Sequence, residues 1–268
     1  MQIGPQTHRT TAISCSSEEA IWVRGRDLAR DLMGSVAFTD FFWLLLTGVM
    51  PTRAQSRVLD ATLVAIAEHG LVPSVQASRM TLAAAPEALQ GAVAAGLLGC
   101  GSVVLGSAEA AGRFLAEIAR RAGEGGDNGA AAVALVQDYR RERRAVPGYG
   151  HPQHKKSDPR AERLLAIAGE TGTDGVHCGI ARTVERLLPE LTGKPLALNV
   201  SGAIAAVLLD AGYPLPALKG VPLLARTAGL IAHLLEEQAR PIGFVMSGAA
   251  AQAIGYDGEA PSQPGSNP

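Results

Sequence analysis

Apolar positions along this chain recur at three- and four-residue spacings, in runs separated by glycine and proline and with little strand-type alternation. The pattern predicts a mainly α protein. Phe38–Thr47 is apolar nearly all round and meets Gly48, with Pro51 beyond, so a buried helix with ordinary C-terminal stop signals is expected there. Over 55–68, Val58, Leu59, Thr62, Leu63 and Ile66 share one face of a helix that ends at His69-Gly70. Pro86 fits the first position of the next helix, where its missing N–H costs nothing. Further helices are predicted over 110–122, 129–143, 159–170, 176–188, 202–211 and 222–238. Residues 8–24 suit a small hairpin in an N-terminal arm (1–22), 123–129 reads as a loop, and 257–268 has the composition of a disordered tail. No repeat, heptad run or second composition regime interrupts the main domain, taken as 23–256.

One stretch imitates a membrane span. Residues 89–108 carry no charge over about the length that crosses a bilayer. Five glycines and the lack of aromatic anchors favour a close-packed buried helix pair instead, of a kind that suits packing across a two-fold axis.

Composition narrows the function classes. With 24 Lys+Arg against 25 Asp+Glu, the formal net charge of −1 supplies no overall attraction for nucleic acid or an anionic membrane. A chain of 268 residues at 47% hydrophobic content has ample material for a core. Twenty of the 24 cations are arginine, whose planar fork suits carboxylate and phosphate, although a GC-rich genome would give the same bias. Cys15, Cys100 and Cys178 are widely spaced, without CxxC or a Cys/His cluster, so neither a disulfide framework nor a metal site is indicated. The first twelve residues have no apolar stretch of signal-peptide type, and a cytoplasmic protein is expected. There is no GxxxxGK[ST] loop, so the chain itself is not expected to use ATP.

Candidate chemistry concentrates in PGYGHPQHKKSDPR, residues 147–160. Gly148 and Gly150 let backbone N–H groups approach a ligand, His151 and His154 can move protons near neutral pH, and Lys155, Lys156 and Arg160 supply positive charge. Asp158-Pro159 then opens a helix as N-cap and first residue. Arg226 sits among Leu223, Leu224 and Leu230, where an unpaired charge would be costly. His233, two turns later, reads as a structural histidine, and His8 and His177 have no supporting context.

The same segment closely resembles the motif of the citrate synthase superfamily, in which a glycine-flanked histidine is followed nine residues later by the arginine of Asp-Pro-Arg, as His151 and Arg160 are here. Four other segments are similar to family motifs in order and spacing. These are 23–52, with an Arg-Gly entry and a Leu-Leu-x-Gly-x-x-Pro-Thr pattern; AEHGLVPS at 67–74; LNVSGAIAAVLLDAGYP at 198–214; and LLARTAGLIAHLLEEQARP at 223–241. The compact length looks most like a citryl-CoA lyase or the citrate-synthase-like module of ATP-citrate lyase.

The resemblance implies a citrate-synthase-like fold, mainly α, with a large helical domain and a smaller helical lobe over roughly 130–225 closing over a bound acid. It also implies a homodimer. His69, His151, Arg160, Arg226 and Arg240 would bind a dicarboxylate such as oxaloacetate, Arg240 from the neighbouring subunit. Two carboxylates need two bidentate cations, and a 2-oxo group needs an imidazole donor, so these residue types are chemically apt. His151 and Ser201 are the catalytic candidates, and Gly150, Lys155 and Lys156 the candidate contacts for coenzyme A. The CoA thioester would be a substrate, with no tightly bound cofactor.

Two departures from the family pattern bear on activity. The family's His-Gly-Gly-Ala turn, whose histidine holds the enol oxygen of the thioester, corresponds to VVLGSAEA (103–110), with Leu105 in the histidine's place. The family aspartate of Asn-Val-Asp-Gly falls on Ser201. A serine hydroxyl is neutral at pH 7 and is no base unaided, and losing positioned acid–base catalysis typically costs ~10²–10⁴ in rate. The leading expectation is a carbon–carbon lyase for citryl-CoA or a related 3-hydroxy-3-carboxyacyl-CoA, giving acetyl-CoA and oxaloacetate or an analogue. The alternatives are a Claisen acyltransferase for another 2-oxoacid and acyl-CoA pair, and a non-catalytic module binding a CoA ester or dicarboxylate. Ser201 itself either holds a water or merely caps the helix beginning near Gly202.

Overall fold

The structure is a computed structural model that describes residues 9–101, 107–150 and 157–258. His151, His154, Lys155, Lys156 and Leu105 lie outside the described residues, as do residues 1–8 of the arm and 259–268 of the tail. The described chain is mainly helical. Three short strands, β1 (Ser14–Ser16), β2 (Ile21–Val23) and β3 (Arg26–Asp27), form an antiparallel meander in sequence order, one strand more than the expected hairpin. Arg24 and Gly25 turn β2 into β3 with φ of 49° and 78°, the pair of positive φ values that matches the twist of a tight hairpin. Arg24 Nε also donates to Leu45 O at 3.0 Å.

The helices are α1 (Phe38–Thr47), α2 (Arg53–Ala67), α3 (Pro73–Ala84), α4 (Leu89–Leu98), α5 (Ser107–Ala122), α6 (Asn128–Arg141), α7 (Pro159–Thr171), α8 (Val176–Thr192), α9 (Val200–Asp210), α10 (Gly220–Ala239) and α11 (Gly243–Ala253). A π-helical turn (Leu28–Leu32) and a 3-10 turn (Leu215–Ala217) complete the set. Local signals account for several boundaries. Thr52 and Gln55 form a reciprocal capping box at the start of α2. Asp158 caps α7 with Pro159 at the first position, as expected.

Other expectations need correction. Phe38–Thr47 is helical but not buried all round, for Trp43 and Leu44 are buried while Phe38 is largely exposed. Pro86 does not open a helix. Ala88 N–H bonds to Ala85 O, so Pro86 lies in a turn and α4 begins three residues later. The sequence reading also missed α3 and α11.

Two units are distinguished by their internal contacts: Met1–Glu68 with Gly101–Ala225, and His69–Cys100 with Arg226–Pro268. Residues 130–225 all belong to the first. Its core centres on α9, where Ala203 through Leu208 are buried consecutively, with apolar faces of α2, α5, α7 and α8 against it and α6 packed on α5 and α8. Such a helix, apolar on every side, is stable only when surrounded.

The second unit packs α3 against α4 and α11. Its small core holds Leu82, Ala92 and Leu234. A Cβ on Gly96 would stand 2.6 Å from Leu230 Cδ1 and 2.9 Å from Ser74 O. Gly96 therefore serves close packing of α4 within the chain. Among the described residues, Leu215–Ala239 is the stretch long and apolar enough to cross a bilayer. It carries the buried Arg226 and Glu237.

Candidate functional site

In the first unit the candidate site is the junction of the turn preceding residue 151 with the start of α9. Asn199 is the N-cap of α9, its Oδ1 accepting the N–H groups of Ser201 (3.0 Å) and Gly202 (3.1 Å). Its Nδ2 donates to Gly150 O at 2.9 Å and its own N–H to Gly148 O at 2.9 Å. Gly150 N–H in turn donates to Ala197 O at 2.8 Å, beside an isolated antiparallel bridge between Tyr149 and Leu198. The turn is thus stitched to the lead-in of α9. With its N–H spent on Ala197, Gly150 contributes a φ of +81° there rather than a donor for a ligand.

Glycine is required at this junction for a second reason. A Cβ on Gly148, whose φ is +89°, would lie 2.9 Å from Gly202 Cα. A Cβ on Gly202 would lie 2.6 Å from Gly148 O. The two glycines let backbone meet backbone, and the spacing of glycines alone carries no sign of that pairing. Buried Tyr149 anchors the turn from its other side, donating its hydroxyl to Ala181 O at 2.9 Å.

Asp158 ties the far end of the histidine segment to the same helix start. Its Oδ2 accepts Val200 N–H at 3.0 Å and Arg160 Nη2 at 2.9 Å, while Oδ1 accepts Arg160 Nε at 3.0 Å and Arg160 N–H at 3.0 Å. Burial pushes this carboxyl's pKa up, but the Arg160 guanidinium and the backbone donors more than offset that and hold it below the usual carboxylate value. Arg160 keeps 22% of its side chain exposed, with one edge of the guanidinium fixed by Asp158. The sequence reading gave Asp158 a capping role only. Its link to α9 joins residues 42 apart in sequence and leaves no local signature.

Ser201 does not cap. Asn199 does, and Ser201 is the second residue of α9 with its Oγ accepting a hydrogen bond from Ser107 Oγ at 2.8 Å. Ser107, the first residue of α5, is the neighbour that the sequence reading missed. Both serines are partly exposed.

The second unit contains the remaining candidates. His69 is exposed in the turn after α2, followed by Gly70 at φ +73°. Arg226, on α10, is 1% exposed, which excludes the alternative of a surface charge. His233 lies beside Arg79, its Nδ1 3.4 Å from Arg79 Nη1, in keeping with a structural histidine.

Arg79 is itself almost fully buried. It bonds Glu237 through Nε at 2.6 Å and Glu236 through Nη1 at 2.8 Å, and donates from Nη2 to Arg240 O at 3.1 Å. Glu237 Oε1 also accepts Ile242 N–H at 2.9 Å and Gly243 N–H at 2.7 Å. Burial pushes the Glu237 carboxyl up, but Arg79 and these donors pull it below its ordinary value. The backbone of Arg240, whose side chain is exposed, is thereby held from inside the unit.

Comparison with known proteins gives a consistent set of likenesses. The family model for the citrate synthase C-terminal domain matches residues 38–243. The citryl-CoA lyase of Hydrogenobacter thermophilus is similar at 33% identity, with a TM-score of 0.84 over 95% of this chain and 96% of that one. An ATP citrate lyase of Methanosaeta concilii, solved with (3S)-citryl-CoA, shares the fold at 21% identity and a TM-score of 0.72, over 97% of this chain and 43% of that one. The citrate synthase of Thermoplasma acidophilum, solved with carboxymethyl coenzyme A and oxaloacetate, does so at 21% identity and 0.64, over 77% and 54%. No curated protein matches the chain.

Proposed function

The chain belongs to the citrate synthase family, and from that premise we propose that it is a citryl-CoA lyase-like enzyme cleaving citryl-CoA, or a related 3-hydroxy-3-carboxyacyl-CoA, to acetyl-CoA and oxaloacetate or its analogue. The observation that carries the reading is the 33% identity to a citryl-CoA lyase over nearly the whole of both chains. Ser201 offers a neutral hydroxyl where the family pattern has a carboxylate, so in this reading the proton exchanged at the thioester α-carbon passes through water.

In the proposed reaction His151 takes the proton of the substrate's tertiary hydroxyl. The C–C bond breaks, its electron pair passing to the acetyl-CoA enolate while the hydroxyl carbon becomes the ketone of oxaloacetate, and water returns a proton to the enolate carbon. His69, Arg160, Arg226 and Arg240 serve as carboxylate ligands in this proposal, and Lys155 and Lys156 as the coenzyme A contacts. Arg160 arrives with its fork oriented by Asp158, which lowers the entropy lost on binding a carboxylate. A homodimer in a cytoplasmic setting completes the proposal, supported by the exposed apolar side chains Leu235 on α10 and Phe244 and Val245 on α11.

Assay in both directions tests the reading. Turnover of citryl-CoA with far slower condensation of acetyl-CoA and oxaloacetate is expected. Condensation as fast as cleavage would favour the acyltransferase alternative. A rise in melting temperature with CoA esters, with turnover in neither direction, would replace the lyase with a binding module, the reading that the missing carboxylate at 201 favours.

A further inference from the structure

The hydrogen bond between Ser107 and Ser201 joins two hydroxyls from the starts of α5 and α9, 94 residues apart in sequence. Ser201 N–H is already satisfied by Asn199, so neither hydroxyl is needed to cap α9. Both side chains remain partly exposed, and the bond is 2.8 Å long. A pair of serines with a structural task alone is more often turned into backbone carbonyls of the preceding turn; here the two face each other beside the Gly148–Gly202 backbone contact.

The direction of the bond decides what Ser201 can do. Ser107 donates and Ser201 accepts, so one lone pair of Ser201 Oγ is engaged and its own O–H is left to point elsewhere. Accepting a hydrogen bond polarises a hydroxyl, making it a better donor and a poorer base. From this the geometry points to Ser107 as a positioning residue that sets Ser201 as a hydrogen-bond donor to the thioester oxygen of the substrate, rather than as a substitute for a carboxylate base. The inference rests on the lyase reading above. During cleavage, negative charge accumulates on that oxygen as the enolate forms, and a preoriented donor stabilises it more than it stabilises the neutral thioester. No proton is transferred by either serine. The Ser201 hydrogen stays on Oγ, the hydroxyl proton of the substrate goes to His151, and water supplies the proton that ends on carbon.

Five variants assayed with citryl-CoA test this, each first checked for an unchanged melting temperature. Ser201→Ala should lower kcat about 10²-fold, the usual effect of removing one such donor, with KM little altered. Ser107→Ala should lower kcat about 10-fold, and Ser107→Thr, which keeps the hydroxyl, should restore most of it. The double alanine variant should be no slower than Ser201→Ala alone, because Ser107 acts only through Ser201. Ser201→Asp, which replaces a donor by an acceptor, should be slower than the parent.

Faster cleavage by Ser201→Asp would overturn the donor assignment, as would a Ser107→Ala variant with parental kcat or with only KM changed. Multiplying losses in the double variant would overturn the coupling. A parent protein that does not cleave citryl-CoA at all defeats the lyase reading itself and this role with it, whereas an active parent with indifferent serines defeats only this inference.

Discussion

Gly148 and Gly202 govern how closely the turn before residue 151 can approach α9. Gly202→Ala forces its new methyl to within 2.6 Å of a backbone oxygen that belongs to the site. Overpacking of this kind should lower stability by about 1–3 kcal/mol in urea titrations and reduce turnover further than the stability loss explains. Asp210 gives a pH test at the same scale. Its carboxylate, 3% exposed, accepts the N–H groups of Gly175, His177 and Cys178 and bonds His177 Nδ1 at 2.8 Å. Burial raises its pKa, but the His177 and backbone bonds prevail and bring it down to about 2. A depressed folded value means stability that is complete above the unfolded pKa and lost as pH falls through the folded one. Between about pH 5 and pH 2 the protein should therefore lose roughly 2 kcal/mol through this group. Asp210→Asn should be less stable at pH 7 and flatten that slope in denaturant titrations.

Single residues were legible where a motif fixes both type and spacing, as with the Asp158-Pro159 helix start. Ser107 and the second task of Asp158 were not, because each depends on which distant group lies opposite; the Asn199 cap is a local signal, an asparagine accepting the N–H groups two and three residues on, that was assigned to Ser201 instead.

At the scale of elements, helices with one continuous apolar face were found nearly to the residue, α1 and α7 among them. The periodicity failed for α3 because its inward face is polar: Ser74, Ser78 and Arg79 are buried together with Val75 and Leu82. It failed for α11 because six of its eleven residues are alanine or glycine, and most of the helix is exposed.

The buried ion pair that makes α3 unreadable also fastens it to the end of α10 and the start of α11. Arg79→Met would strand the Glu237 carboxylate in the interior and should cost about 3–5 kcal/mol, measured by chemical denaturation of the second unit. Adding Glu237→Met should recover part of the loss, since an apolar pair needs no desolvation of charge. Any portion not recovered measures the backbone donors of Ile242 and Gly243 left without an acceptor.

For the molecule as a whole, the mainly α fold and family were visible in five ordered motifs, whereas the segments that form the second unit were hidden because they lie more than a hundred residues apart in sequence. The exposed Leu235, Phe244 and Val245 carry an expectation about assembly. Light scattering should give the mass of two chains, about twice 27.7 kDa, and Leu235→Glu with Phe244→Glu should shift it toward one.

The most direct test of the proposed chemistry is the initial rate of oxaloacetate release from citryl-CoA by the unaltered protein beside its His151→Ala variant. Expected is saturable release of oxaloacetate and acetyl-CoA in equal amounts, falling by at least about 10²-fold without the imidazole. Release that is absent from both proteins, or equal in both, would contradict it.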